Sequence, residues 1–424
     1  MAVCDEVPPH HANMVHSWLS RSGDLDIHIL ISSAVADPDL VHPIIPFAGQ
    51  IRTLCLDSPV ACLLSFANLP LGTSFSRLTS FQSVTWGHPS DALVPQGAII
   101  YSERRLLDCA PGLVTLSLRH KNHSTDLQNG LWLLLRSKMI GWPDWPQITH
   151  LDLRETELDI EVVYELLVQC KALVTFSAYV PHYDPNHEAL PRPLHVLKCL
   201  KYFSLSATCW DESIGTSFIE CDNLLRFIQF PDLDTLDLRR IFNPIPALSS
   251  QTFPLRSLFL TDSLRGCSSM DLCSFLQSCT LLEELQVVSC HECVPWFDHD
   301  FVRVLTYDPK SKNLPSLIKL QLKIRLPMPQ DLISLYRRKL LHLEVARMVD
   351  SRWMQHSEGV KQWSSVVLCF VREPEWLFYT LTEGWYKELM STGLKMTVEY
   401  GLVSVTSVKE EYLEIEDLAE GGSI

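Results

Sequence analysis

One short pattern, apolar-x-x-apolar-x-apolar, recurs along this chain and limits what it can fold into. IRTLCL begins at Ile51, LVTLSL at Leu113, ITHLDL at Ile148, LVTFSA at Leu173 and LKYFSL at Leu200. LDTLDL begins at Leu233, LRSLFL at Leu255, LEELQV at Leu282 and LIKLQL at Leu317. A degraded copy, LTSFQSV, starts at Leu78, and a late one, WSSVVL, at Trp363. The last two apolar positions of each copy lie two residues apart, which places them on one face of a short strand. Between copies run segments with the three–four apolar spacing of amphipathic helices. In LDIEVVYELLVQC, Ile160, Val163, Leu166 and Leu167 share a face, and Asp159 stands where a cap belongs. MDLCSFLQSC and DHDFVRVLTYDP read the same way. A lone strand and helix cannot bury their apolar faces, but stacked copies can, and helical crossovers make the strands parallel.

From Ile51 to Leu317 the copies recur on average every 30 residues or so, near the upper end of leucine-rich repeat lengths. The spacing predicts an α/β fold: a leucine-rich-repeat-like solenoid, or horseshoe, with short parallel strands inside and helices outside. Four regions follow from it. Residues 1–24 form an N-terminal segment, 25–359 the irregular repeat array, 360–408 a C-terminal capping repeat, and 409–424 an acidic, solvated tail. The capping repeat reads as strand–helix–strand and shields the last open layer. Cys109, Cys170 and Cys279 each end a helical pattern just before a strand, which predicts small buried packing residues.

Charge narrows the function classes. Lys and Arg number 35 against 50 Asp and Glu, a net charge of −15, which argues against a general binder of nucleic-acid backbone. No run of about 18 apolar residues exists, so no membrane span is expected. The N-terminus lacks the basic and apolar regions of a secretory signal, so the 14 cysteines are read as thiols of a cytoplasmic or nuclear protein.

Candidate chemistry is thin. Cys290, His291, Glu292 and Cys293, with His299 nearby, have a zinc-like spacing, but a closed site needs a second pair and no second CxxC follows. Cys290 is also the ninth position of its repeat, where leucine-rich repeats place Asn or Cys to bond neighbouring backbone; Thr156, Thr208 and Ser263 hold that position elsewhere. His10, His11 and His16 read as solvated. No G-x-S-x-G elbow and no Gly-rich phosphate loop occurs. No metal, cofactor or catalytic residue is therefore assigned, and the chain is read as a non-enzyme.

What remains is the face opposite the core. The third, fifth and seventh positions of each copy point away from the leucines and form a grid of polar and aromatic side chains. Arg154, Tyr179, Tyr202, Arg239 and Phe259 are its large members and the candidate partner-binding residues. Tyr and Phe offer apolar area with few rotors to freeze, and Arg offers forked donors for a carboxylate. The two arginines favour a protein partner with an acidic segment.

Some segments also carry a resemblance. VHSWLSRSGDLDIHILISS at 15–33, WPQITHLDLRETEL at 145–158, LLVQCKALVTFSA at 166–178 and VARMVDSRW at 345–353 resemble fungal F-box proteins with irregular leucine-rich repeats. The resemblance covers roughly residues 15 to 400. It implies a substrate-recognition module of the kind that recruits a protein target to a ubiquitin ligase. An F-box opens with a Leu-Pro-x-Glu-like motif, and none is found in the 17 residues before Trp18. Binding to the adaptor of a cullin ligase is therefore expected only if an F-box is encoded upstream, the chain then being a truncated gene model of a full F-box protein. The alternative of a different class is a metal-dependent hydrolase with an unrecognised site.

Overall fold

The computed structural model describes residues 11–33, 41–59, 62–63, 65–66, 69–86, 105–121, 143–158, 160–180, 193–207, 222–264, 266–289, 296–308, 310, 313–325, 332–353, 361–371 and 383–401. The fold is mixed α/β, with parallel strands and helices. The chain divides into two compact units, residues 1–219 with 227–233, and residues 220–226 with 234–424.

In the first unit, β1 (Ile27–Ser32), β2 (Ile51–Pro59), β3 (Ser80–Trp86), β4 (Thr115–Lys121), β5 (His150–Glu157), β6 (Thr175–Val180) and β8 (Tyr202–Ala207) pair in chain order. Every neighbouring pair is parallel. A two-residue pair, β7 (His195–Val196) with β9 (Ile228–Gln229), lies apart from this ladder. Helices α1 (His11–Leu19) and α2 (Ile160–Gln169) belong to the same unit.

The repeat pattern explains the register. The fourth positions, Leu54, Phe81, Leu116, Leu151, Phe176 and Phe203, oppose one another strand by strand and are at most 1% exposed. Burying each such side chain contributes about 1.5–3 kcal/mol, so a one-residue slip that turned the row to solvent would be prohibitive. Phe176 stacks on Phe203 at 5.5 Å, and Phe203 meets Phe230 at 5.0 Å. The degraded copy at Leu78 forms a full strand, because Phe81 keeps the fourth position even though Ser83 replaces leucine at the sixth. Successive copies are also tied outside the strands. The second-position amide of each copy donates to the second-position carbonyl of the copy before: Thr149 to Val114, Val174 to Thr149 and Lys201 to Val174, at 2.7–2.9 Å.

The second unit repeats the scheme with β10 (Thr235–Arg239), β11 (Ser257–Thr261), β12 (Glu284–Ser289), β13 (Lys319–Arg325), β14 (Ser365–Val371) and β15 (Met396–Gly401), all parallel and in chain order. Leu236 opposes Leu258, as the template predicts, and both are fully buried. The second-position bonds recur from Arg256 to Asp234, Glu283 to Arg256, Ile318 to Glu283 and Ser364 to Ile318. The eighth positions of two successive copies, Arg240 and Asp262, both take left-handed backbone, with φ of 62° and 51°. Each then donates its amide to the next strand, Arg240 to Thr261 and Asp262 to Val288. Equal strain at equal positions marks one shared exit turn from the strand.

Helices α3 (Ile245–Ser249), α4 (Ser269–Ser278), α5 (His299–Leu305), α6 (Leu332–Trp353) and α7 (Glu383–Ser391) alternate with these strands. The predicted helices at MDLCSFLQSC and DHDFVRVL are present, the latter ending at Leu305. Ser268 caps α4 by accepting the Asp271 amide at 3.1 Å, and Asp298 caps α5 by accepting the Phe301 amide at 3.0 Å. Asp159, expected to cap α2, lies outside the described residues.

One buried charge locks the second unit. Arg352, of the segment MVDSRW, is fully buried and donates to the carbonyls of Leu305, Leu314 and Asn313 at 2.7–2.8 Å. Its guanidinium also lies 5.4 Å from the centre of the Trp363 ring. Burial pulls its pKa down to about 10, so it stays charged at neutral pH. The fork thus joins the ends of α6 and α5 to the approach to β13, and satisfies three carbonyls that no strand reaches.

Candidate partner-binding face

The strand faces differ as the alternation predicts. In the first unit the third positions Thr115, His150, Thr175 and Tyr202 oppose one another across β4, β5, β6 and β8. The fifth positions Ser117, Asp152, Ser177 and Ser204 form the next row. Arg119, Arg154, Tyr179 and Ser206 stand at the seventh positions, with Tyr179 directly opposite Ser206. The rows are not equally open. Ser177 and Ser204 are buried, whereas His150 is exposed and Tyr202, Arg119, Arg154 and Tyr179 are half-buried. The sequence grid treats all three rows alike; in the structure Ser177 and Ser204 of the middle row are closed off, while Ser117 and Asp152 are half-buried.

Charge on this face is organised. The Asp152 carboxylate accepts Arg119 Nε and Nη2 at 3.1 and 2.8 Å on Oδ2. It accepts Arg154 Nε on Oδ1 and Nη2 on Oδ2, both at 3.0 Å. The Arg154 amide adds a bond to Oδ1 at 3.1 Å. Burial alone would raise the Asp152 pKa, but the hydrogen bonds and charges of Arg154 and Arg119 outweigh it and hold the carboxyl below its ordinary value. Asp152 is therefore ionised at neutral pH, and both guanidiniums are held in fixed orientations.

The second unit carries the same four residues, LDLR, at 236–239. Arg239 Nε lies 3.2 Å from both Asp237 oxygens, and Arg239 Nη2 is 3.0 Å from Oδ2. Asp237 opposes Phe259, which opposes Gln286. Arg239 opposes Thr261, and Thr261 and Val288 at the seventh positions are buried.

The five residues singled out from sequence lie on the strand face of their own unit, opposite the buried leucines, and all are half-buried. Arg154, Tyr179 and Tyr202 belong to the first unit, Arg239 and Phe259 to the second. Tyr179 and Tyr202 are on neighbouring strands, but Tyr202 opposes Thr175, four residues before Tyr179. At about 3.3 Å per residue they stand roughly 13 Å apart along the strand direction, at opposite ends of the face. Arg154 falls where the β5–β6 register shifts after Leu153, so it escapes strict pairing and turns back onto Asp152. Sequence reasoning passed over Arg119 and Asp152 as members of one cluster. The signal was present: a D-x-R run preceded, one copy earlier, by arginine at the seventh position.

Other candidate chemistry has structural roles. Thr156 is buried and donates to the Leu118 carbonyl at 2.7 Å; Ser263 is buried and donates to the Leu238 carbonyl at 2.8 Å. These ninth positions bond the neighbouring copy, as expected. Cys170 and Cys279 are buried and their thiols are pushed up, to about 12 and about 11, by desolvation. Such thiols are packing groups, not nucleophiles. Cys109, by contrast, is only partly buried. It ends a single 3₁₀ turn rather than a full helix, so less covers it.

His299 lies against Glu344 of α6. Cys290, His291, Glu292 and Cys293 lie outside the described residues, as do His10, Thr208 and the tail at 409–424. Among the described residues no group of three or more His, Cys, Asp or Glu side chains gathers as for a metal ion. No described helix is long and apolar enough to cross a membrane. In comparison with known proteins, the chain matches no protein-family model and no curated protein.

Proposed function

We propose that this chain is a non-catalytic protein-interaction module, a leucine-rich-repeat-like solenoid whose open strand face holds a protein target. It resembles the substrate-recognition part of an F-box ubiquitin ligase receptor, acting in the cytoplasm or nucleus. One observation carries the reading: leucine and phenylalanine fill one face of the strands in register, while an ordered row of hydroxyls, carboxylates, guanidiniums and aromatic rings occupies the other. Stability needs the first face but does not dictate the second. The mix of Tyr, Arg and Phe among small polar residues is that of protein interfaces.

The test is affinity capture with the full chain, followed by alanine variants at Arg154, Tyr179, Tyr202, Arg239 and Phe259. Those that contact the target should each weaken binding by about 1–3 kcal/mol with little change in thermal unfolding. If all five bind like wild type while changes at Glu165 of α2 or Arg303 of α5 abolish capture, the open face is not the binding surface.

A further inference from the structure

β1 is the first strand of its sheet, and among the described residues it pairs only with β2. Its sequence, IHILIS, holds no Lys, Arg, Asp, Glu or Pro. Sheet edges are ordinarily blunted by such residues, by bulges or by a covering element, because a free row of amides and carbonyls pairs with any strand that reaches it. The irregularity in β1 is a register shift after Ile27, so His28–Ser32 still follow Thr53–Asp57 residue by residue. Leu30, in the middle of that run, is 57% exposed.

The helix layer of the first unit begins in the same way. α1 packs on the 3₁₀ segment His42–Gln50, which lies between β1 and β2 in the chain. Leu19 is buried in that contact, and the His16 ring is 5.2 Å from Phe47. Met14 and Trp18, four residues apart, share a face of α1 away from Leu19 and are 58% and 69% exposed. Leu25, between α1 and β1, is 72% exposed.

We infer that this end of the first unit is an interface between two copies of the chain, related by a two-fold axis that pairs β1 with β1 antiparallel. Area, charge and symmetry select a second copy as the occupant. A buried aromatic side chain covers about 150–250 Å² and an aliphatic one somewhat less, so the exposed parts of Met14, Trp18, Leu25 and Leu30 come to roughly 500 Å². Two copies together cover roughly 1,000 Å², about what a specific interface needs, before the β1 backbone is counted. A chain of net charge −15 repels itself wherever its acids are uncompensated. At this end they are compensated. Asp26, the acid nearest the strand, is held by Arg52 at 2.8 Å and Arg77 at 3.3 Å, and the exposed Arg21 and Asp24 beside it are one of each sign.

A two-fold pairing of edges keeps each face of the sheet on its own side. Centred on Leu30, it sets Leu30 against its own counterpart and His28 against Ser32. The same axis brings α1 beside α1 behind the strands, so Met14 and Trp18 leave water together with Leu30.

Sedimentation velocity of the full chain over a range of concentrations tests this without any target, so its outcome is separate from that of the binding-face reading. A species of twice 48.3 kDa is expected. Leu30→Lys sets a charge against its own counterpart on the edge and should weaken dimerisation roughly tenfold or more, as should Trp18→Ala. Both side chains are exposed, so the circular dichroism of each variant should match wild type. Met270→Lys, at a 75% exposed position on α4 of the second unit, should leave the dimer intact. A monomer at every concentration, a dimer indifferent to both Leu30→Lys and Trp18→Ala, a dimer lost equally with Met270→Lys, or assemblies that grow past the dimer would each overturn the proposal.

Discussion

The run LDLR occurs at 151–154 and again at 236–239, and the two copies behave differently. In both, the leucines are buried and the aspartate holds the arginine two residues on. Asp152 stands between Ser117 and Ser177 and is shared by two arginines, with 22% of its side chain exposed. Asp237 is opposite Phe259, and its side chain is 5% exposed. The same four residues thus give a half-buried carboxylate shared by two guanidiniums in one unit and a buried carboxylate beside a more exposed arginine in the other. The neighbouring strand, not the run itself, decides which.

Substitutions can break or sharpen this contrast. The largest effect should fall on what the two copies share. Leu151→Asp and Leu236→Asp each place a charge in a core row and should cost about 4 kcal/mol or more, seen as loss of cooperative thermal unfolding. Unchanged unfolding in either variant would mean that the register is wrong. Next come the aspartates. Asp152→Ala removes the carboxylate that two half-buried guanidiniums share and should cost about 2 kcal/mol in chemical denaturation. Asp237→Ala should cost about 1 kcal/mol, because Arg239, with 40% of its side chain exposed, can turn to water. The reverse order would show that burial of the carboxylate outweighs the number of arginines it holds.

Acid should sharpen the difference further. The folded-state pKa of Asp152 is depressed, so its stabilisation is complete above the unfolded value of about 3.9 and is lost as pH falls through the lower folded value. The stability gap between wild type and Asp152→Asn should therefore be flat from neutral pH to about pH 4 and then close. A gap that closes already near neutral pH would contradict the clamp. The smallest effect is expected at Phe259→Ala, about 1 kcal/mol or less, since the ring is half-buried.

The fold was largely legible because one template carries it. Apolar residues two apart name the buried face, and the copies begun from Ile51 to Trp363 yield strands in that phase. Even Thr156 and Ser263 were readable, since position within the copy sets their bonding. Less legible was side-chain exposure set by a neighbouring copy. That Ser177 and Ser204 are closed off while Tyr202 is not follows from what stands beside them, and the template treats all three positions as outward. Arg239 and Arg154 read from sequence as donors awaiting a carboxylate, but each is already engaged by its own copy's aspartate. Arg352 was beyond reach of the pattern altogether: its three carbonyl partners sit 38 to 47 residues away and belong to loops and helix ends.

A target held on the strand face leaves a different footprint from one held on the helices. Hydroxyl-radical footprinting of the captured complex separates the two, because tyrosine reports its own solvent contact. Tyr179 and Tyr202 should be strongly protected on complex formation, with the side chains of α2 and α5 unchanged. Protection confined to α2 and α5, with both tyrosines as reactive as in the free chain, would contradict the strand-face reading.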